Sequence, residues 1–190
     1  MLRIVISGGI GSGKSAVTSI LREMGAKVVL ADEINAALLT EPSYIKEISN
    51  RFPTAVHNNV INKKELAEII YRNEGKRKEL MSLSHPIIFE RMFSLYPEEK
   101  VVFYEVPLLS ESDISFDRIW YVDASLENRV RRIVGRDGVS EAYAERIISL
   151  QKMEELFLEK ADVVIRNDGD MEDLRGQVKT QYCYILREFS

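Results

Sequence analysis

A three-layer α/β/α sandwich on a five-stranded parallel sheet is the fold class that this sequence predicts. Three observations predict it. Short apolar runs of strand length recur along the chain with helical patterns between them, the alternation that builds parallel sheets. The first run, Ile4-Val5-Ile6, leads into Gly8-Gly9-Ile10-Gly11-Ser12-Gly13-Lys14-Ser15 and then into the helical spacing Val17, Ile20, Leu21, Met24. Finally, strand signals nearly vanish from Pro42 to about Pro97, a stretch too long for one crossover, which marks a helical insertion.

The glycine-rich stretch has the order strand, glycine loop, Lys-Ser, helix, which is a phosphate-binding loop in its confirming context. Gly9, Gly11 and Gly13 let successive backbone N–H groups turn around an anion with no Cβ in the way. The helix that begins near Lys14 turns its positive dipole end towards the same anion. Lys14 supplies a mobile charge for β- and γ-phosphates, and Ser15 a hydroxyl for Mg²⁺.

After Gly25, Lys27-Val28-Val29-Leu30 reads as a buried strand that ends at Ala31-Asp32. A carboxylate at that strand end accepts a proton from an attacking hydroxyl, holds metal-bound water, or serves as an N-cap for the helical stretch Glu33 to Leu39. Within the insertion, Tyr44, Ile45, Ile48 and Phe52 form one amphipathic face and Leu66, Ile69 and Ile70 another. Asn58-Asn59-Val60-Ile61-Asn62 is the turn-rich break between them. Ser84-His85-Pro86 reads as a helix start with Pro86 in the first turn, and Ile88, Met92 and Leu95 continue a buried stripe. His85 is a ligand contact, or else a capping or packed residue.

Val101-Val102-Phe103-Tyr104-Glu105 is a strand closing on an acid, the arrangement that organises Mg²⁺ and its water beside a phosphate loop. Ile119-Trp120-Tyr121-Val122-Asp123 has the same shape, but Asp123 leads into a new helix and is explained by capping. Arg129, Arg131, Arg132 and Arg136 cluster on a helix whose buried face is Leu126, Val130, Ile133 and Val134. With Gly135 and Gly138 as a hinge and a second helix from Ser140 to about Gln151, residues 129–150 read as an arginine-bearing lid for a phosphoryl group. Ala161 to Ile165 is the last strand. Asn167 follows it as a base-reading amide or a turn residue, and Met171 to Phe189 is the closing helix.

Composition narrows the classes. The 190 residues carry a net charge of -4, which argues against a nucleic-acid binder that relies on a broad basic face. The single cysteine, Cys183, excludes an intramolecular disulfide and a cysteine-based zinc site, as suits a reducing cytosol. No apolar run approaches the ~18 residues of a membrane span, and the N-terminus begins a strand, so the expectation is a cytoplasmic protein with no membrane partner. Asn62-Lys63-Lys64-Glu65 ends in Glu and follows no buried strand, so it is not a guanine-reading motif and a switch GTPase is disfavoured. What remains is a small kinase acting on a small-molecule hydroxyl, a nucleoside monophosphate or a sugar acid, or a nucleotide-binding regulator without turnover.

The ordered motifs resemble the dephospho-coenzyme A kinase family over nearly the whole chain. The Gly8–Ser15 loop, Ala31-Asp32, Ser84-His85-Pro86, Glu105-Val106-Pro107-Leu108-Leu109-Ser110-Glu111, Arg132, Arg136-Asp137, Gln151 and Asn167-Asp168-Gly169 fall on that family's motifs in order. The resemblance implies a P-loop NTPase fold with core 1–34 and 98–190, a helical acceptor-binding insertion at about 35–97 and a lid at about 129–150. It implies transfer of the ATP γ-phosphoryl group, with Mg²⁺, to the ribose 3′-hydroxyl of dephospho-CoA, giving CoA and ADP, by a monomer or small homo-oligomer. Asp32 is then the general base or hydroxyl-orienting group, with Lys14 and Arg132 as its catalytic partners. Gly9, Gly11, Ser12, Gly13, Lys14, Ser15, Ala16, Arg136 and Asn167 hold ATP. Asp32, His85, Pro107, Leu108 and Glu111 shape the acceptor side, while Ser15 and Glu105 face the metal, Glu105 through water. The chain departs from the family pattern at Leu30, in place of an Asp, and at Ala16, in place of a Thr, as well as around Arg51-Phe52-Pro53 and from Asn58 to Leu66.

Overall fold

The computed structural model describes residues 1–106, 116–151 and 154–189. Strand β1 (Leu2–Ser7) runs into the glycine loop and helix α1 (Lys14–Glu23), and β2 (Lys27–Leu30) follows. Next come α2 (Ala31–Leu38), α3 (Pro42–Arg51), β3 (Val56–His57), β4 (Val60–Ile61), α4 (Lys63–Arg72) and α5 (Glu74–Ser94). The chain then returns to strand with β5 (Val101–Glu105) and β6 (Arg118–Asp123), followed by α6 (Leu126–Asp137), α7 (Glu141–Ser149), α8 (Glu154–Glu159), β7 (Val163–Arg166) and α9 (Met171–Glu188). Two compact units result: Met1–Val29 with Tyr96–Ser190, and Leu30–Leu95.

The first unit is built on a five-stranded parallel sheet in the order β2-β5-β1-β6-β7, flanked by helices. Ile4, Val5 and Ile6 are consecutive and all buried, as a central parallel strand covered on both faces requires. The core is aromatic as well as aliphatic. Phe103 and Trp120 meet edge-on with centroids 5.0 Å apart, and Tyr182 of α9 meets Phe103 at 5.8 Å. Register places the carboxyl ends of the strands at one edge: Ile6 opposite Glu105, Ser7 opposite Tyr121 and Asp123 opposite Arg166. The glycine loop, Val106, Ala124 and Asn167 therefore leave the sheet together, at the edge where open α/β sheets collect ligands.

The helix ends are set by local chemistry. Ser125, Ser140 and Asp170 accept backbone N–H groups at the starts of α6, α7 and α9, and Gly138 closes α6 in the left-handed conformation. Asp123 does not cap α6, which was the sequence expectation. Its carboxylate takes Arg166 Nη1 at 2.9 Å, and the hydroxyl of Ser125 does the capping.

The second unit packs α5 against α2 and α4. Tyr44, Ile48, Phe52, Leu66, Ile88 and Met92 are buried, as the periodicity predicts. Asn58 and Asn59 form the expected turn: both take positive φ and join the two strands of the short β3–β4 hairpin. Two readings need correction. Pro86 does not start a helix, because α5 begins twelve residues earlier, at Glu74 behind the Asn73 cap, and runs through Pro86. Pro86 and Ser82 both lie on the exposed side, so the Ser82 carbonyl that loses its helical donor faces water. Leu95 lies just past the end of α5 and is exposed rather than part of the stripe.

Candidate active site

The glycine loop is held from its outer side. Arg129 Nε donates to Ile10 O at 2.9 Å. Arg132 Nη1 donates to Gly11 O at 3.2 Å and Ser12 O at 3.1 Å, and its Nη2 to Asn167 O at 2.6 Å. Asn167 Nδ2 adds a bond to Ser12 O at 2.8 Å. Three consecutive loop carbonyls are thus engaged by side chains outside the loop. The N–H groups of Lys14 and Ser15 meanwhile open α1, where a helix has no internal acceptor for them. That division of donors and acceptors is what an anion cradle needs.

Two glycines are dictated by this clamp. Gly11 sits at φ +78, and a Cβ there would lie 2.8 Å from Arg129 O. Gly13 sits at φ +99, and a Cβ would fall on the Asn167 amide. Lys14 folds back so that Nζ donates to Gly8 O at 2.7 Å and Gly9 O at 3.2 Å. Its ammonium is therefore poised over the loop. Ser15 is exposed at the first turn of α1, and Ala16 follows it half-buried.

Glu105 ends β5, and its Oε2 accepts from Thr18 Oγ1 at 2.9 Å. Thr18 also reaches Ser15 O at 3.2 Å, so one buried hydroxyl links the acid to the turn that carries Ser15. Burial pushes the Arg132 guanidinium below its usual range, and Asp168 acts against that shift. Asp168 itself is held below the usual carboxylate range, first by the Asn128 side chain and then by Ser125. Arg136 forks onto Asp137 at 2.7 and 2.8 Å on the exposed end of α6.

The sequence-predicted residues Lys14, Ser15, Glu105, Arg132 and Asn167 come together around the loop. Asp32 and His85 belong to the second unit. Asp32 is exposed in the first turn of α2, and Leu30 rather than Asp32 holds the cap position. His85 is half-buried within α5 and meets Phe89 edge-on at 5.7 Å. Pro107, Leu108 and Glu111 lie outside the described residues.

Arg129 was misread from sequence. It is 8% exposed, whereas Leu126, placed on the buried face, is 55% exposed. The signal was present, since Arg129 lies four residues before Ile133 on the same helix face. Thr18 was also missed, being read only as part of a helix. No described group of His, Cys, Asp and Glu forms a metal cluster by itself, and no described helix is long and apolar enough to cross a membrane.

Comparison with known proteins gives the fold and loop their context. A dephospho-CoA kinase from Fusobacterium nucleatum is 37% identical over 96% of this chain and 97% of its own length. A crystal structure from Thermus thermophilus superposes with a TM-score of 0.84 at 30% identity, covering 100% of this chain and 98% of that one. Dephospho-CoA kinase from Campylobacter jejuni superposes with a TM-score of 0.71 at 27% identity over 99% of this chain and 98% of that one. The family described as dephospho-CoA kinase matches residues 2–173, and the chain belongs to that family.

Proposed function

We propose that this protein transfers the γ-phosphoryl group of ATP to the ribose 3′-hydroxyl of dephospho-CoA, giving CoA and ADP. The observation that carries the ATP half is the clamped loop, whose outer carbonyls are engaged by Arg129, Arg132 and Asn167. The acceptor half rests on membership in the family.

The residues divide the work. Loop N–H groups and Lys14 neutralise the β- and γ-phosphates, while Arg132 holds the loop and stands at its rim. Gly9, Gly11, Ser12, Gly13, Ser15 and Ala16 complete the nucleotide cradle. Asn167 and Arg136 serve the adenine side and the lid at 129–150. The 3′-oxygen attacks the γ-phosphorus, the bond to the ADP oxygen breaks, and Asp32 orients the hydroxyl and takes its proton. His85, Pro107, Leu108 and Glu111 contribute to acceptor recognition. Ser15 and Glu105 are oxygen donors linked through Thr18, a set that fits Mg²⁺, which keeps most of its ligands from water and phosphate. Bound there, Mg²⁺ supplies charge neutralisation at the transferring group. A cytoplasmic monomer or small homo-oligomer acting without nucleic acid or membrane completes the reading.

A coupled ADP-release assay with ATP and Mg²⁺ tests it, using dephospho-CoA beside nucleoside monophosphates, shikimate and gluconate. ADP release with dephospho-CoA, with CoA on a mass spectrum, is the expected result. Release only with another acceptor overturns the substrate. Measurable ATP binding with no release for any acceptor overturns the enzyme in favour of a nucleotide-binding regulator.

A further inference from the structure

Ile10 is the one loop residue between Gly9 and Gly11 with a side chain, and it is held at three points. Its side chain packs on the apolar cluster Val130, Ile133, Ala144 and Ile148 between α6 and α7. Its carbonyl accepts from Arg129 Nε at 2.9 Å. Its N–H donates to Gln151 Oε1 at 2.6 Å, just past the end of α7. Arg129 Nη2 also points at Gln151 Oε1, at 3.5 Å. Both groups facing Gln151 are donors, so the carboxamide oxygen is the atom that must face them.

We infer that Gln151 is a positioning residue for ATP, acting through Ile10 and Arg129 on the phosphate loop. This inference rests on the phosphoryl-transfer reading above. An anion cradle works when its inward N–H groups are fixed beforehand, so that no reorganisation accompanies binding. Ile10 N–H points to Gln151 and not into the cradle, and it needs that acceptor, because a part-buried donor left orphaned is costly and would drive the loop to a different conformation. Gln151 supplies that acceptor. It also aims Arg129, whose backbone packs against Gly11 so closely that a Cβ at Gly11 is excluded. The α6–α7 pair is thereby joined to the loop by one carboxamide, one guanidinium and one isoleucine side chain. Displacement of the end of α7 is felt first at Ile10, two residues before the Ser12 carbonyl that Arg132 and Asn167 hold.

The test compares Gln151→Leu, Gln151→Glu and Gln151→Asn in the full chain. Leu keeps the shape and removes the acceptor; Glu restores an oxygen at the same reach; Asn withdraws it by one methylene. Calorimetric binding of MgADP reads the loop whatever the acceptor proves to be, and steady-state kinetics follow KM for ATP and for dephospho-CoA separately. Gln151→Leu is expected to weaken MgADP binding and raise KM for ATP by about tenfold, the size of one lost hydrogen bond. KM for dephospho-CoA is expected to stay within about twofold, and Gln151→Glu to return within about threefold of the parent. If Gln151→Leu does not fold, Gln151→Asn carries the same comparison. Unchanged MgADP binding in a folded Leu or Asn variant overturns the inference. So does equal weakening of both substrates without rescue by Glu, the pattern of a general structural role. An inactive parent that still binds MgADP would instead overturn the dephospho-CoA reading and leave the Gln151 measurement standing.

Discussion

The phosphate loop and the unit from Leu30 to Leu95 are held together in opposite ways. Around the loop, long-range polar bonds do the positioning: Ile10, Gly11 and Ser12 are tied to residues more than a hundred positions away. In the second unit, amphipathic helices pack through Tyr44, Ile48, Phe52, Leu66, Ile88 and Met92, and polar bonds such as Arg91 to Glu41 and Tyr44 to Ser84 join side chain to side chain. Its buried polar feature is a short chain in which Ser84 Oγ donates to Leu80 O at 2.7 Å and Tyr44 OH donates to Ser84 at 2.6 Å. The difference teaches where rigidity is placed. The glycine loop is fixed in main-chain detail, whereas the second unit is fixed as a packed body that carries Asp32 and His85 on its elements.

Variants at each region should separate these two kinds of order. The largest expected effect is chemical: Asp32→Asn should lower kcat by about 10²–10⁴-fold, the usual worth of a general base, with nucleotide affinity kept. Turnover assays beside MgADP calorimetry check it, and parallel loss of both would contradict it. Next comes the loop. Gly13→Ala at φ +99, with its Cβ on the Asn167 amide, should lose nucleotide affinity and about 1–3 kcal/mol of stability, read by calorimetry and denaturant unfolding. In the second unit, Ser84→Ala leaves the Tyr44 hydroxyl without its acceptor. It should cost about 1–3 kcal/mol in unfolding, and MgADP binding should not change.

The smallest effect is one of pH. Asp168 accepts from Ser125 N and Asn128 Nδ2, each at 2.8 Å, which depresses its folded value below the usual carboxylate range. A depressed carboxylate stabilises above its unfolded value, near 3.9, and that contribution is lost as pH falls through the folded value. The Tm advantage of the parent over Asp168→Asn should therefore shrink on acidification below about pH 4, and only modestly, because the group is exposed. A constant difference across that range would sink this assignment.

How much of this was legible in the sequence follows the same divide. The loop and the five strands were readable, because strand–glycine loop–helix order and buried apolar runs are local signals. The helical character of residues 42–95 was readable from spacing. The β3–β4 hairpin was not, since two residues per strand are too few to show an alternation. Pro86 misled because proline is commonest at helix starts, while here its missing donor costs little on an exposed face. Arg129 and Gln151 were invisible as loop supports. Their partner Ile10 is 119 and 141 residues away, and helix periodicity treats a guanidinium as solvent-facing although it can be buried against main-chain oxygens.

The loop is shaped before nucleotide arrives. Amide hydrogen exchange at Ile10, followed by NMR in the nucleotide-free protein, tests it most directly. Protection at Ile10 without nucleotide, changed little by MgADP, is the predicted result, because Gln151 already holds that N–H at 2.6 Å. Fast exchange at Ile10 that becomes slow only when MgADP is added would show that the nucleotide builds the cradle, and would contradict the account.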